Sequence, residues 1–167
     1  MDEFICESMI ETFERTRAHS RGFEIVDTSF RKNDRAILPL RKTKNSAGYD
    51  FMLPYSVVIG PKESLIMWSD IKAYMLPDEV LQIYPRSSSA IKKDIIIKNI
   101  VGIVDSDYYS NQDNDGNIGL FLSNVGTETQ YLSEGDGIAQ GIFIKYLVAD
   151  NCNCNDTRIG GVGSTNK

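Results

Sequence analysis

The sequence contains little of what a disulfide-stabilised or membrane-inserted protein needs. Its 167 residues include three cysteines, an odd number that makes no complete disulfide framework. No apolar run reaches membrane-spanning length, and the start, Met1-Asp2-Glu3, is acidic where a secretory signal would be basic. We therefore expect a cytoplasmic protein with free thiols and no membrane partner.

Positive charge is also scarce. The chain has 18 Lys and Arg residues against 23 Asp and Glu residues, a formal net charge of −5. Its longest basic cluster is Arg41-Lys42-Thr43-Lys44, whereas a nucleic-acid surface requires an extended basic stripe. We expect no nucleic-acid partner, but a focused site could still bind a small phosphorylated ligand.

Hydrophobic patterning predicts one all-β domain over residues 1–167. Short β-rich runs alternate with Gly, Pro and Asp turn signals, which favours a jelly-roll-like barrel or sandwich. Apolar residues at helical spacing predict an amphipathic helix within an N-terminal extension, residues 1–20. Residues 150–167 are polar and rich in Gly and Asn, and we expect a flexible C-terminal arm. Strands are predicted at residues 23–26, 56–59, 64–69, 80–84, 95–98, 118–122, 129–132 and 138–147.

Two segments have the composition of phosphate sites. Residues 158–165 combine an arginine, three glycines and two hydroxyls, and glycines let consecutive N–H groups converge on an anion. Residues 85–89 place a second arginine and three serines directly after a strand. Asp105 ends a third, apolar strand, where a carboxylate could orient and deprotonate water. A phosphate hydrolase needs little more than these groups.

Five segments in order resemble the five signature motifs of the trimeric, all-β dUTPase family. Any one of them is a weak signal, but together they cover most of the chain. The segments are Ala47-Gly48-Tyr49-Asp50, residues 85–88, residues 102–108, residues 135–140 and residues 158–165.

The resemblance implies hydrolysis of dUTP to dUMP and pyrophosphate, with Asp105 as the catalytic base. It also implies a homotrimer with shared active sites, and Mg²⁺ held mainly by the substrate phosphates, with Asp50 reaching at most its water shell. Asn99 and the hairpin backbone at Gly102 would contact uracil, and Tyr108 would lie under the deoxyribose. The phosphate contacts implied are Arg86, Ser87, Ser88 and Gln140, with Arg158, Gly161, Gly163, Ser164 and Thr165 closing as a lid.

The chain departs from the family pattern at several places. Val162 stands where the lid usually carries an aromatic, and Gly137 replaces a common Arg. The family usually has Arg-Gly after the tyrosine of the third motif, where this chain reads Tyr109-Ser110-Asn111. Ala47 to Asp50 could also be a plain turn entering a strand. Residues 111–116 match half of a calcium-loop pattern, but Leu122 occupies the place of the essential acid, so we expect a solvated hairpin tip.

Two other functions remain open from the sequence. One is a dCTP deaminase, or a bifunctional deaminase and diphosphatase, on the same fold. Such enzymes need a Glu on the strand after the hairpin, where this chain has Phe121. The other is a non-catalytic, nucleotide-sensing regulatory module on the same scaffold.

Overall fold

The computed structural model describes residues 20–154 together with Arg158 and Gly160. The predicted N-terminal helix lies outside these residues. Within them the chain forms eleven strands, one short α-helix and two 3₁₀-helices, at Thr28–Phe30 and Ser106–Tyr108. The strands and the helix are β1 Gly22–Ile25, β2 Tyr49–Met52, β3 Val57–Ile59, β4 Ser64–Trp68, β5 Ile71–Tyr74, β6 Glu79–Pro85, α1 Ser87–Lys93, β7 Ile95–Ile97, β8 Gly102–Asp105, β9 Gly119–Asn124, β10 Gln130–Leu132 and β11 Gly137–Lys145.

All the strand pairs among these residues are antiparallel, and they form four small sheets. The largest has the order β2-β11-β6-β8, and a second has the order β4-β9-β7. Two-stranded sheets join β1 to β5 and β3 to β10. The all-β prediction is therefore confirmed.

The hydrophobic core is formed by the inward faces of these sheets. Its largest fully buried side chains include Phe51, Met67, Leu81 and Leu122, which come from four different strands. Strand β6 has a neighbour on each edge, and its residues are buried with little alternation. It therefore fixes the relative positions of β8 and β11, which carry functional candidates.

Each predicted strand overlaps an observed one, but β2, β5 and α1 are absent from the prediction. Strand β5 is only four residues long, although Ile71 and Ala73 alternate inward as a half-buried strand requires. Helix α1 begins with three serines, which have modest helix propensity. It ends at Asp94, whose left-handed conformation (φ 51°) closes the last turn.

Two predicted hairpins are wrong. Strands β7 and β8 pair with β9 and β6 respectively, so the turn at residues 98–101 connects two sheets. Residues 109–118 likewise connect different sheets, and Asn111, Asp115 and Asn117 are buried, so this segment is no solvated tip. It folds inward because its amides satisfy one another and the neighbouring backbone.

No helix among the described residues has the length and apolar composition that crossing a membrane requires.

Candidate functional site

A cavity of about 200 Å³ opens where β8 and its following 3₁₀-helix face β7 and β9. Four of the predicted site residues on this part of the chain line it, and Arg158 of the arm lies at its side. Backbone and apolar side chains form much of the remaining wall. The lining residues are Ile83, Ile97, Asn99, Gly102, Ile103, Val104, Asp105, Tyr108, Ile118, Gly119, Leu120, Phe121 and Arg158.

Asp105 is the last residue of β8. Because side chains alternate along a strand, Val104 is buried in the core, while Asp105 stays accessible with about half of its side chain (49%) exposed. The chain then turns into the 3₁₀-helix Ser106–Tyr108, which keeps the carboxylate at the edge of the sheet. A carboxylate in this position can accept a proton from a water in the cavity.

Arg158 brings a positive charge to that carboxylate. Its Nη2 donates to Asp105 Oδ2 at 2.6 Å, and its Nε donates to Asp107 Oδ1 at 2.8 Å. The guanidinium carbon also lies 5.7 Å from the centre of the Tyr108 ring. Only 13% of the Arg158 side chain is exposed, so the charge-assisted pairs are partly shielded from water.

Tyr108 presents its ring to the cavity and its hydroxyl to the interior. The hydroxyl donates to Asn117 O at 3.0 Å and accepts from Asn114 Nδ2 at 2.7 Å. Burial raises the pKa of Tyr108 above its ordinary value of 10.0, so the phenol stays neutral. The Tyr108 ring therefore forms a fixed, uncharged part of the cavity wall.

The turn between β7 and β8 forms the opposite side of the cavity. Asn99 is exposed there, and Ile100 N donates to Ile97 O at 2.9 Å. Gly102 follows, and a Cβ at this position would lie 3.3 Å from Ile83 Cβ and 3.7 Å from Asn99 Nδ2. A side chain would therefore narrow the cavity, which explains the glycine.

A second cluster lies where β2, β6 and β11 meet α1. Asp50 Oδ1 pairs with Arg86 Nε at 3.2 Å, and Asp50 Oδ2 is buried without a hydrogen-bond partner. Gln140 is the cross-strand neighbour of Asp50, and its amide donates to Pro85 O at 3.4 Å. Ser87 and Ser88 begin α1 beside this pair.

Gly137 makes room for Arg86. The Arg86 Nη1 donates to Gly137 O at 3.3 Å, and a Cβ on Gly137 would meet the same nitrogen at 2.1 Å. The substitution of Gly for the common family Arg thus has a local role that the sequence did not reveal. Only the packing of Arg86 across β11 shows it.

The two clusters lie at opposite ends of β6. Asp105 pairs with Val80 near the start of that strand, and Arg86 directly follows its last residue. Six residue steps at roughly 3.3 Å each separate Val80 from Arg86, or about 20 Å. Arg86 does not line the cavity of Asp105. Within one chain, the Arg86 cluster therefore lies outside the cavity that Asp105 lines.

Sequence reasoning located the polar residues of the cavity but missed several groups around them. Ile83 and Phe121 line the cavity, and Asn114 and Asn117 hold Tyr108. The available signal in the sequence is the regular spacing of the asparagines at positions 111, 114 and 117 after the motif. Gly161, Gly163, Ser164 and Thr165 lie outside the described residues.

Comparison with known proteins agrees with this geometry. A protein-family model described as dUTPase matches residues 34–166. The chain is 40% identical over 147 residues to the deoxyuridine 5′-triphosphate nucleotidohydrolase of Lactococcus lactis, covering 87% of this chain and 97% of that protein.

Solved structures share the fold. A crystal structure of dUTPase from Streptococcus mutans superposes with a TM-score of 0.69 at 36% identity, over 77% of this chain and 98% of that one. A dUTPase from phage phi11 of S. aureus, studied for coordination of a structural Mg(II) ion, superposes with a TM-score of 0.65. It is 19% identical over 83% of this chain and 98% of its own, and so supports the fold alone. The family match, the identity to the lactococcal protein and the shared fold together establish that this chain belongs to the dUTPase family.

Proposed function

We propose that the protein hydrolyses dUTP to dUMP and pyrophosphate. The observation that carries this proposal is the cavity lined together by the accessible carboxylate of Asp105, by Tyr108 and by Arg158, which bonds that carboxylate. Family membership supplies the substrate class, since the lactococcal relative bears the name of that activity.

In this reaction Asp105 acts as the general base. Its carboxylate accepts a proton from a water whose oxygen attacks the α-phosphorus, and the bond from that phosphorus to the bridging oxygen breaks. The leaving group is pyrophosphate. The Arg158 guanidinium can bind either the carboxylates of Asp105 and Asp107 or the phosphate oxygens of the substrate. A bound triphosphate would therefore compete with these two carboxylates for the guanidinium. Such competition would release Asp105 for catalysis.

The cavity suits a deoxyuridine. The Asn99 amide and the backbone near Gly102 can read the donor and acceptor pattern of uracil, and cytosine would leave a polar pair mismatched. The ring of Tyr108 would lie under the deoxyribose and leave no room for a 2′-hydroxyl. The thymine methyl would meet the wall near Gly102.

The distance between the two clusters supports sharing of each active site among three subunits of a homotrimer. Asp105 from one subunit would then face Arg86, Ser87, Ser88 and Gln140 from another. Arg158 with the residues of the lid (Gly161, Gly163, Ser164 and Thr165) would close over the phosphates. Symmetric oligomers commonly form through such repeated contacts.

The site is suited to a Mg²⁺ ion that is bound mainly by the substrate phosphates. The described residues contain no cluster of three or more His, Cys, Asp or Glu side chains suited to hold a metal. The buried Asp50 Oδ2 without a partner is an acceptor that a water of the Mg²⁺ shell could satisfy. When bound to the triphosphate, the ion would neutralise charge on the phosphates.

The cellular location we propose is cytoplasmic. Cys152 and Cys154 are both free and exposed at the base of the arm, and such thiols persist in a reducing compartment.

The wall of the cavity argues against the deaminase alternative. Phe121 occupies the position on β9 where that reaction would need a carboxylate, and its ring lines the cavity. A purely sensory module would not need Asp105 to be accessible. Hydrolysis needs the accessible carboxylate of Asp105 and needs no carboxylate at position 121.

The direct test is product analysis with dUTP, dCTP, dTTP and UTP. We expect pyrophosphate and dUMP from dUTP, with much slower turnover of the other three. Deoxyuridine nucleotides formed from dCTP would instead support a deaminase, and inertness toward all four would support the sensory module.

The role of Asp105 is tested by Asp105→Asn. Loss of the general base should lower kcat by at least about 100-fold, while dUTP binding survives. Asp107→Asn is the matched control, because Asp107 lies two residues away and also bonds Arg158. It should retain kcat within about tenfold, since only a surface pair is lost. Equal losses in both variants would contradict the assignment of the base.

A further inference from the structure

The hydroxyl of Tyr108 is held by a loop, residues 109–117, that the proposed reaction does not use. Asn114 Nδ2 donates to this hydroxyl at 2.7 Å and to Asn117 O at 3.3 Å. The hydroxyl in turn donates to Asn117 O at 3.0 Å. These three groups form a closed triangle at the end of the ring that faces away from the cavity.

The orientation of the Asn114 amide is itself fixed. Its Oδ1 accepts from Asn111 Nδ2 at 2.7 Å and from Gly116 N at 3.1 Å. The Asn111 amide also donates to Tyr108 O at 2.9 Å. Because the oxygen has two donors, the amide nitrogen can only point at the hydroxyl of Tyr108.

The loop is anchored to the protein interior through Asn117. This residue is fully buried, and its Nδ2 donates to Asp70 Oδ1 at 2.7 Å while its Oδ1 accepts from Asp70 N at 3.0 Å. Asp70 is also fully buried and accepts from the backbone of Lys32 and Asn33. The three hydrogen-bonded groups are therefore connected to the buried core through Asn117 and Asp70.

We propose that Asn114 is a positioning residue that sets discrimination between deoxyribose and ribose nucleotides by holding Tyr108. The inference deepens the proposed function and rests on it. Exclusion of a 2′-hydroxyl is steric, so it depends on how firmly the ring is held against the sugar. Tyr108 meets the sugar with its ring, and Asn114 acts only on the hydroxyl behind it.

The test compares kcat/KM for dUTP with kcat/KM for UTP in three variants: Asn114→Ala, Tyr108→Phe and the double variant. Loss of one such hydrogen bond corresponds to a change of about tenfold, so each single variant should lower the dUTP/UTP ratio by about tenfold. The change should come mainly from faster UTP turnover. The double variant should lower the ratio no further than Tyr108→Phe alone, because that variant already removes the hydrogen bond from Asn114 to the hydroxyl.

Asn124→Ala is the matched control. Asn124 is another buried asparagine. Its amide donates to Ile59 O at 2.9 Å and to Glu128 O at 2.8 Å, and its Oδ1 accepts from Gly126 N. It lies at the end of β9 away from the cavity. Its removal should lower the melting temperature and leave the dUTP/UTP ratio unchanged.

The outcomes separate the two proposals. An unchanged ratio in Asn114→Ala, or losses that add in the double variant, would overturn the positioning role while dUTP hydrolysis stands. A wild-type protein inert toward dUTP would overturn the proposed function and this inference with it. If Asn114→Ala fails to fold, Tyr108→Phe provides the test. A wild-type dUTP/UTP ratio in that variant would show that the hydrogen bonds of the Tyr108 hydroxyl do not set the discrimination.

Discussion

At the residue scale, the sequence could name candidate reactive groups but not the side chains that pair with them. Asp105 and Arg158 stand in recognisable motifs, and the structure brings them within 2.6 Å of each other. The partner of Arg86 is Asp50, from a segment that the sequence alone left open as a turn. Such pairs depend on strand register between distant segments, which local patterning does not encode.

Glu79 provides a pH-dependent test at this scale. It is almost fully buried, and its hydrogen bond from Arg21 lowers the pKa of the carboxyl below its ordinary value of 4.5 against the opposing effect of burial. A lowered folded-state pKa means that the stabilisation is present above about pH 4.5 and is lost as the pH falls through the folded-state pKa.

Glu79→Gln should therefore lower the free energy of unfolding at neutral pH by about 1–3 kcal/mol, as for a hydrogen bond to a charged group. It should also flatten the loss of stability below pH 4.5, measured by urea unfolding across that range. The control is Asp78→Asn, an exposed neighbour paired with Lys145, which should change stability little. A Glu79→Gln profile parallel to the wild type would contradict this account.

At the element scale, most of the strands follow from hydrophobic alternation, whereas α1 and the inward loop 109–117 do not. Helix α1 is stabilised by contacts that lie far away in sequence, such as Ser89 Oγ donating to Gly137 O at 3.2 Å. The loop is buried because the Asn117 amide donates to Asp70, which lies far away in sequence in the turn between β4 and β5. Local propensity is a weak guide where tertiary contacts decide the conformation.

Alanine substitutions at two glycines of strand β11 should have different effects, one on substrate binding and the other on stability. A Cβ at Gly137 would displace the flexible end of Arg86, so Gly137→Ala should raise KM for dUTP by about tenfold through loss of one charged phosphate contact. Its stability should change little. A Cβ at Gly141 would lie 2.9 Å from Leu81 Cδ1 and 3.0 Å from Phe51 Cε2, inside the core.

Gly141→Ala should therefore destabilise the fold by about 1–3 kcal/mol and leave KM unchanged in the folded fraction. Steady-state kinetics and thermal unfolding of both variants check this contrast. Should Gly137→Ala keep the wild-type KM, Arg86 would not be positioned by the space at residue 137.

At the scale of the whole molecule, the fold class could be predicted from the strand pattern and the family from the five motifs. The split of the site into two clusters could not, because it depends on where Val80 and Pro85 lie along one strand. The N-terminal helix and the glycines and hydroxyls of the lid remain predictions. In the proposed trimer, separate subunits would supply Asp105 and Arg86 to each active site.

Coexpression of two inactive variants tests that claim most directly. One subunit carries Asp105→Asn and the other Arg86→Gln, whose amide keeps a donor for the buried Asp50; trimer size and melting temperature are checked first. If each site takes its two halves from different subunits assembled at random, about one quarter of the sites are intact and activity returns to about that fraction of wild type. Mixed oligomers no more active than the two variants alone would contradict the shared site.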